Sequence, residues 1–232
     1  MRGDKIVILT GAGISAESGL GTFRDEGGLW AQHRIEDVAT PEAFARNPEL
    51  VHRFYNLRRA QAAEAEPNAA HHALTRLQAV WPDDVVIVTQ NVDGLHEKAG
   101  SAAIHMHGAL TRALCAKCDA RWDAPAQMCR HDRCPHCGTA ATRPDIVWFG
   151  EMPYHMDEIA AHMQTCAMFV AIGTSGQVYP AAGFVQEAAL CGAATVEINM
   201  RDSDMSHAFD THLKGPASKV VPQWVDRLLA SA

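Results

Sequence analysis

No stretch of the sequence approaches the roughly 20 consecutive apolar residues that a membrane span requires; the longest runs, such as Ile6–Leu9 and Val85–Val88, are of strand length. There is no basic patch and no Lys/Arg-rich tail, and 20 basic against 27 acidic residues leave a net charge of −7. That balance argues against nucleic acid or an anionic membrane as the main partner. Room for a leader is lacking as well, because the first core strand starts about five residues from Met1; the expectation is a protein that stays in the cytoplasm. Internal repeats and low-complexity segments are absent. A disulfide framework is not expected either: of seven cysteines, four fall in two CxxC pairs, which fits metal ligation in a reducing compartment. Apolar residues, by contrast, make up 47% of the 232, enough for one large domain or a large domain carrying a small one.

The apolar run Ile6–Leu9 leads straight into Gly11-Ala12-Gly13-Ile14-Ser15. This is the glycine pattern of a dinucleotide-binding turn: a buried strand, a tight turn, and a helix from near Gly13 whose free amides hold a pyrophosphate. A hydride-transfer enzyme of that type needs a second apolar strand within roughly 30 residues, ending in an acidic residue for the ribose. Here Gly19-Leu-Gly-Thr-Phe-Arg-Asp25 and a long helical region follow instead, so the dehydrogenase reading lacks its second anchor. Gly19, Gly21, Gly27 and Gly28 flank Phe23-Arg24-Asp25 and predict a lid loop that folds over a ligand.

Thr40-Pro41 and Asn47-Pro48 read as N-caps followed by a proline in the first turn, giving helices near 41–46 and 48–64, and Ala69 to Val80 is helical again. Val85–Val88 predicts a central parallel strand ending in the polar cluster Gln90-Asn91-Val92-Asp93. A strand near Ala103–Met106 ends in His107-Gly108, the sheet is expected to resume at Ile146–Phe149, and a helix follows near 156–166. Strands Met168–Ile172 and Thr195–Ile198 end in Gly173-Thr174-Ser175 and Asn199, with helices near 181–191 and 222–230. The alternation predicts an α/β protein with a parallel sheet, whose ligands lie at the carboxyl ends of the strands. Cys115-x2-Cys118 and Cys134-x2-Cys137, 15 residues apart, have the spacing of a closed zinc ribbon, a structural site with no open position for water. Cys129 lies inside that span as a substitute ligand or a bystander. Read alone, Asn91 and Asp93 cap a helix at 94–99, and His107 is a structural histidine or a general base.

Several longer motifs occur together: GAGISAESG at 11–19, TFRD at 22–25, TQNVD at 89–93, MHG at 106–108, the paired CxxC, VWFGE at 147–151, GTS at 173–175, EIN at 197–199 and GPAS at 215–218. In this set the chain resembles the sirtuins, NAD-dependent protein-lysine deacylases, and among them the bacterial CobB-like branch. The resemblance implies a Rossmann-like domain from 1–28, 80–112 and 144–232. It implies a small domain made of a helical insertion, 29–79, and the zinc-ribbon module, 113–143. NAD, consumed as co-substrate, and an acyl-lysine peptide would meet between them. Gly11, Ala12, Gly13 and Ser15 would hold the pyrophosphate, Phe23, Arg24 and Asp25 the nicotinamide ribose, and Gln90, Asn91 and Asp93 the nicotinamide pocket. Gly173, Thr174, Ser175 and Asn199 would hold the adenosine half, with Ala217 near the adenine. His107 would be the general base, with Asn91 beside it as a second catalytic residue, and Val147, Trp148 and Phe149 would line the peptide site. Tyr55 and Arg58, three positions apart and so on one helix face, resemble the Tyr-x-x-Arg of sirtuins that remove succinyl and malonyl groups.

Overall fold

A computed structural model describes residues 5–21, 33–82 and 84–231; the expected lid and its Phe23 and Arg24 lie outside them. Strand β1 (Ile6–Thr10) runs into one helical turn, α1 (Ala12–Ser15), continued by a 3-10 turn at Ala16–Ser18. Four helices follow: α2 (Ile35–Val38), α3 (Pro41–Arg46), α4 (Pro48–Glu64) and α5 (Ala69–Val80). Thr40 and Asn47 cap α3 and α4, accepting from Ala43 N and Leu50 N, which satisfies amides that the first turn leaves open. Next come β2 (Val85–Thr89), α6 (Leu95–Ala99), β3 (Ala103–His105), β4 (Gly108–Cys115), β5 (Arg121–Asp123) and β6 (Thr142–Ile146). The remainder is α7 (Met156–Met163), β7 (Met168–Ile172), α8 (Phe184–Leu190), β8 (Ala194–Asn199), β9 (Thr211–Lys214) and α9 (Ala217–Ala230).

Six strands form a parallel sheet in the order β3-β2-β1-β7-β8-β9. Their apolar residues alternate between two cores. Ile6, Ile8, Ile87, Val170 and Ile198 face α5 and α9, through Leu74, Leu77, Val221 and Val225. Val7, Leu9, Phe169 and Ala171 face α7 and α8, through Ile159, Met163 and Val185. Burial on both faces is why these strands read as continuous apolar runs. Strand order reverses at β1, whose neighbours are β2 and β7, which makes the carboxyl ends of β1 and β7 the switch point where sheets of this kind bind ligands.

A second sheet, β5-β4-β6, is antiparallel and carries the cysteines. It packs through Leu110 and Ile146 on a third core made with Val38, Val51, Phe54, Tyr55 and Trp148. Three expectations are corrected here. Ile146–Phe149 does not resume the parallel sheet: β6 ends at Ile146, and the next residues form a strap whose amides bond singly, Val147 N to His107 O and Phe149 N to Ala39 O. Helix α5, expected within the helical insertion, belongs to the sheet core, because Ala70, Ala73, Leu74 and Leu77 all turn into it. Helix α9 begins at Ala217 rather than near Pro222, because the Glu17 carboxylate caps it from 201 positions away, accepting from Ser218 N and Oγ at 2.9 and 2.7 Å. Among the described residues no helix is long and apolar enough to cross a membrane.

Candidate active site and metal centre

The glycine turn closes against the end of β7 with no space between them. Gly11 N and Gly13 N donate to Ile172 O and Gly173 O, both at 2.9 Å. A Cβ on Gly13 would stand 2.7 Å from Gly173 Cα, and one on Gly173, at φ +63°, would stand 2.5 Å from Ile14 N. The glycines thus allow two loops to touch, and the amides of Gly11 and Gly13 are already spent on that contact. The turn's polar surface is carried by other groups. Asn91 Nδ2 donates to Gly11 O and Ser15 Oγ, both at 3.1 Å, and Ser15 Oγ donates to Asp93 Oδ2 at 3.0 Å. The other Asp93 oxygen accepts from Leu95 N. Asp93 therefore caps α6 and also reaches the glycine turn. Burial raises its pKa, opposed by those two donors. Beyond β7, Asn199 Nδ2 donates to Thr174 O at 2.7 Å, Ser175 O accepts from Asp204 N, and Ala217 opens α9.

His107 stands just past β3, on the same rim. Its Nδ1 lies 3.1 Å from Gln90 O. A carbonyl only accepts, so Nδ1 carries the proton and Nε2 is left with a lone pair. Burial lowers the pKa of His107, against the opposing pull of Gln90 O, and the ring is neutral at pH 7. The turn behind it demands glycine: Gly108 has φ +78°, and a Cβ there would meet Asp145 O at 2.1 Å. The strap then ties this rim to the helices. Trp148 Nε1 donates to Tyr55 Oη at 3.0 Å, and Arg143, bound to Glu151 at 2.7 and 2.8 Å, stacks 3.5 Å from the Trp148 ring centroid. Arg58 holds its guanidinium 5.8 Å from the Tyr55 and Phe54 ring centroids. Burial raises the pKa of Tyr55 and lowers that of Arg58, and the charge of Arg58 acts on Asp93.

Sequence reasoning passed over several residues beneath the site. Asn68 donates from Nδ2 to Ile14 O and Ser18 Oγ at 2.8 and 3.0 Å and so holds α1. Thr10 Oγ1 donates to Thr89 Oγ1, which also accepts from Asn91 N, and His96 Nε2 stands 3.0 Å from the same Thr10 oxygen. His96 packs edge-on against His71, ring centroids 5.1 Å apart. Only the apolar surroundings of these histidines in the fold mark them out. Burial drives the pKa of His71 down to about 3 and that of His96 down to about 4. Both are neutral when folded and titrate near the ordinary 6.5 when unfolded, so the unfolded state gains protons first as pH falls. The pair's contribution to stability is fully present above about pH 6.5 and is lost progressively toward pH 4, at about 1.4 kcal/mol per pH unit for each proton. Urea unfolding between pH 7 and 5 should give a slope approaching two protons from this pair, and His96→Gln should remove one of them; an unchanged slope in the variant would dismiss the assignment.

The sulfurs of Cys115, Cys118, Cys134 and Cys137 all lie within 4.8 Å of one another, with Cys115–Cys137 and Cys118–Cys134 each at 3.7 Å. Zinc at the centre of a thiolate tetrahedron, with bonds of about 2.3 Å, needs sulfur separations of about 3.8 Å. The four cysteines fit a structural zinc. Cys129 stays out of the cluster, its thiol donating to Asp132 at 3.2 Å. Glu197, Asp202 and His212 also converge, but Lys214 Nζ already sits 2.8 Å from Asp202 as the local cation.

A parallel sheet with a glycine turn at its switch point, a neutral histidine on the same rim and a four-thiolate ribbon define a nucleotide-binding α/β protein with a structural metal module. The Sir2 family profile matches residues 11–180, and the chain belongs to that family. It is 56% identical to the NAD-dependent protein deacylase of Bdellovibrio bacteriovorus over 97% of this chain and 96% of that protein. It is 52% identical to the NAD-dependent protein deacylase of Escherichia coli K12 over 99% of this chain and 84% of that one. A Sir2 homologue solved in complex with NAD superposes with a TM-score of 0.90 at 36% identity, covering 99% of this chain and 91% of that one.

Proposed function

We propose that the protein is an NAD-dependent protein-lysine deacylase that accepts succinyl and malonyl groups as well as acetyl. One observation carries the reading of the chemistry: the carbonyl of Gln90 fixes the tautomer of His107, leaving Nε2 as a base on the rim that holds the glycine turn. The switch point suits NAD, since bare glycine backbone lies there and Ser15, Asn91 and Asp93 place polar groups beside it. When bound, NAD supplies the ribose that takes the acyl group, giving nicotinamide and O-acyl-ADP-ribose. The pyrophosphate side lies along Gly11, Ala12, Gly13 and Ser15, with the amides of Gly11 and Gly13 kept by the end of β7; Gln90, Asn91 and Asp93 orient the nicotinamide side; Gly173, Thr174, Ser175, Asn199 and Ala217 receive the adenosine side. His107 Nε2 takes the proton of a ribose hydroxyl, and Asn91 steadies the reacting end. Val147 and Phe149 form the edge along which an acyl-lysine peptide lies, with Trp148 buried behind them. The free thiols of Cys129, Cys166 and Cys191 suit a reducing cytoplasm. Incubating the protein with acyl-lysine peptides, with and without NAD, tests the reading by peptide mass and released nicotinamide.

The acidic acyl preference rests on Tyr55 and Arg58. Tyr55 accepts from Trp148, which leaves its own O–H to donate, and a guanidinium matches a carboxylate in shape and charge. A charged hydrogen bond contributes about 1.5–3 kcal/mol, so Arg58→Met should lower succinyl-peptide kcat/KM by about 10- to 150-fold. Acetyl-lysine offers no carboxylate and should lose much less. Equal losses on both peptides would assign Arg58 to the cleft's structure instead of the acyl group.

A further inference from the structure

His105 and His107 leave β3 two residues apart and clamp consecutive carbonyls of the polar loop after β2. His107 Nδ1 donates to Gln90 O and His105 Nδ1 donates to Asn91 O, each at 3.1 Å. The two rings differ at their other nitrogen. That of His107 meets no acidic side chain among the described residues, whereas His105 Nε2 lies 3.1 Å from Glu97 Oε1 on α6. Both partners of His105 are acceptors, so only the doubly protonated ring satisfies both. A neutral ring would turn a lone pair toward either the carboxylate or the carbonyl.

We propose that His105, held as an imidazolium by Glu97, is a positioning residue that fixes the loop bearing Asn91 and Asp93, and that its deprotonation sets the alkaline limit of activity. The proposal deepens the deacylase reading and rests on it. Asn91 is the hinge of the argument: its carbonyl is held by His105 while its side chain holds Gly11 and Ser15. Loss of the proton removes one of the two bonds and loosens that link. Among the described residues, the titratable groups around His105 are Glu97 and the neutral His96 on α6, and Asp93 in the loop. Burial alone would depress the pKa of His105, but Glu97 outweighs it, supported by Asn91 O and Asp93, and the pKa is raised. His107 and His105 thus bracket a window: activity rises as His107 loses its proton below pH 6.5 and falls as His105 loses its proton above it.

The test is a pair of pH profiles for kcat on an acyl-lysine peptide at saturating NAD, for wild type and Glu97→Gln, with the His105 titration followed by NMR. Removing an opposite charge at this distance should lower the alkaline midpoint and the NMR pKa of His105 together, by about one pH unit or more, with the acid limb unmoved. His105→Gln should show at neutral pH the reduced kcat that wild type reaches only on its alkaline side. An alkaline limb unmoved in Glu97→Gln, or an NMR pKa of His105 that ignores Glu97, would overturn the proposal. Wild type without NAD-dependent turnover at any pH would overturn the underlying reading too, and the NMR titration tells that failure apart.

Discussion

Replacing His107 with alanine is expected to lower acyl-peptide turnover by about 10²–10⁴, the usual contribution of a general base, with NAD binding and stability close to wild type. The geometry separates these quantities. His107 is half-buried, and the one bond its ring makes among the described residues is the Nδ1–H to Gln90 O, whose carbonyl can turn to water when the ring is removed. The glycine turn, by contrast, is held by Asn91, Ser15 and Asn68, none of which touches the imidazole. His107→Asn keeps a donor for Gln90 and supplies no base, so it should be about as slow as alanine. Single-turnover rates at saturating NAD, with calorimetric NAD affinity, check the separation. Near-normal rates in either variant would remove His107 as the base, and loss of NAD affinity in proportion to rate would make it a binding residue.

The second large effect is on the metal. Cys115→Ala or Cys137→Ala should lose zinc and soluble protein together, because the energy of a four-thiolate zinc, about 10–16 kcal/mol, rivals the whole stability of a domain, about 5–15 kcal/mol. Between Cys118 and Cys134 the chain forms only the three-residue β5, and of its apolar side chains Met128 alone is buried. Metal bonds do there what a core does elsewhere. The damage should spread to α4, since Asn56 exchanges two bonds with the Met128 backbone, at 2.9 and 3.0 Å, while Arg59 donates to Leu110 O at 2.7 Å. Elemental analysis of purified protein gives the check: active, soluble chain with no zinc would end the assignment.

Strands β1, β2, β7 and β8 were legible because burial on both faces leaves little but apolar residues, and α3 and α4 because a capping residue and a proline mark each start. The second sheet was not. Its β6 holds Arg143, Pro144 and Asp145, whose burial is justified by ion pairs with Glu151 and Arg121 that no local pattern announces. The apolar run at 146–149 misled for the opposite reason: Trp148 is buried in the third core, and its amide bonds Glu151 Oε2 instead of a neighbouring strand. At the site, the glycines and His107 stood out by type and spacing. Glu17, Asn68, His96 and His105 did not, since each acts through partners at least eight positions away that only the fold supplies.

The strand order also dictates a history for each new molecule. Strand β1, the earliest in the described chain, lies mid-sheet, bonded on one edge to Val85–Thr89 and on the other to Met168–Ile172. As the ribosome delivers the chain, one edge of this five-residue apolar strand waits open until β7 emerges, and the cap of α9 on the glycine turn waits longer still. An unpaired apolar edge is a template for wrong pairing. The glycine turn after β1 is therefore among the last parts to be locked, and a nascent chain stalled before residue 168 carries a sticky, unfinished sheet.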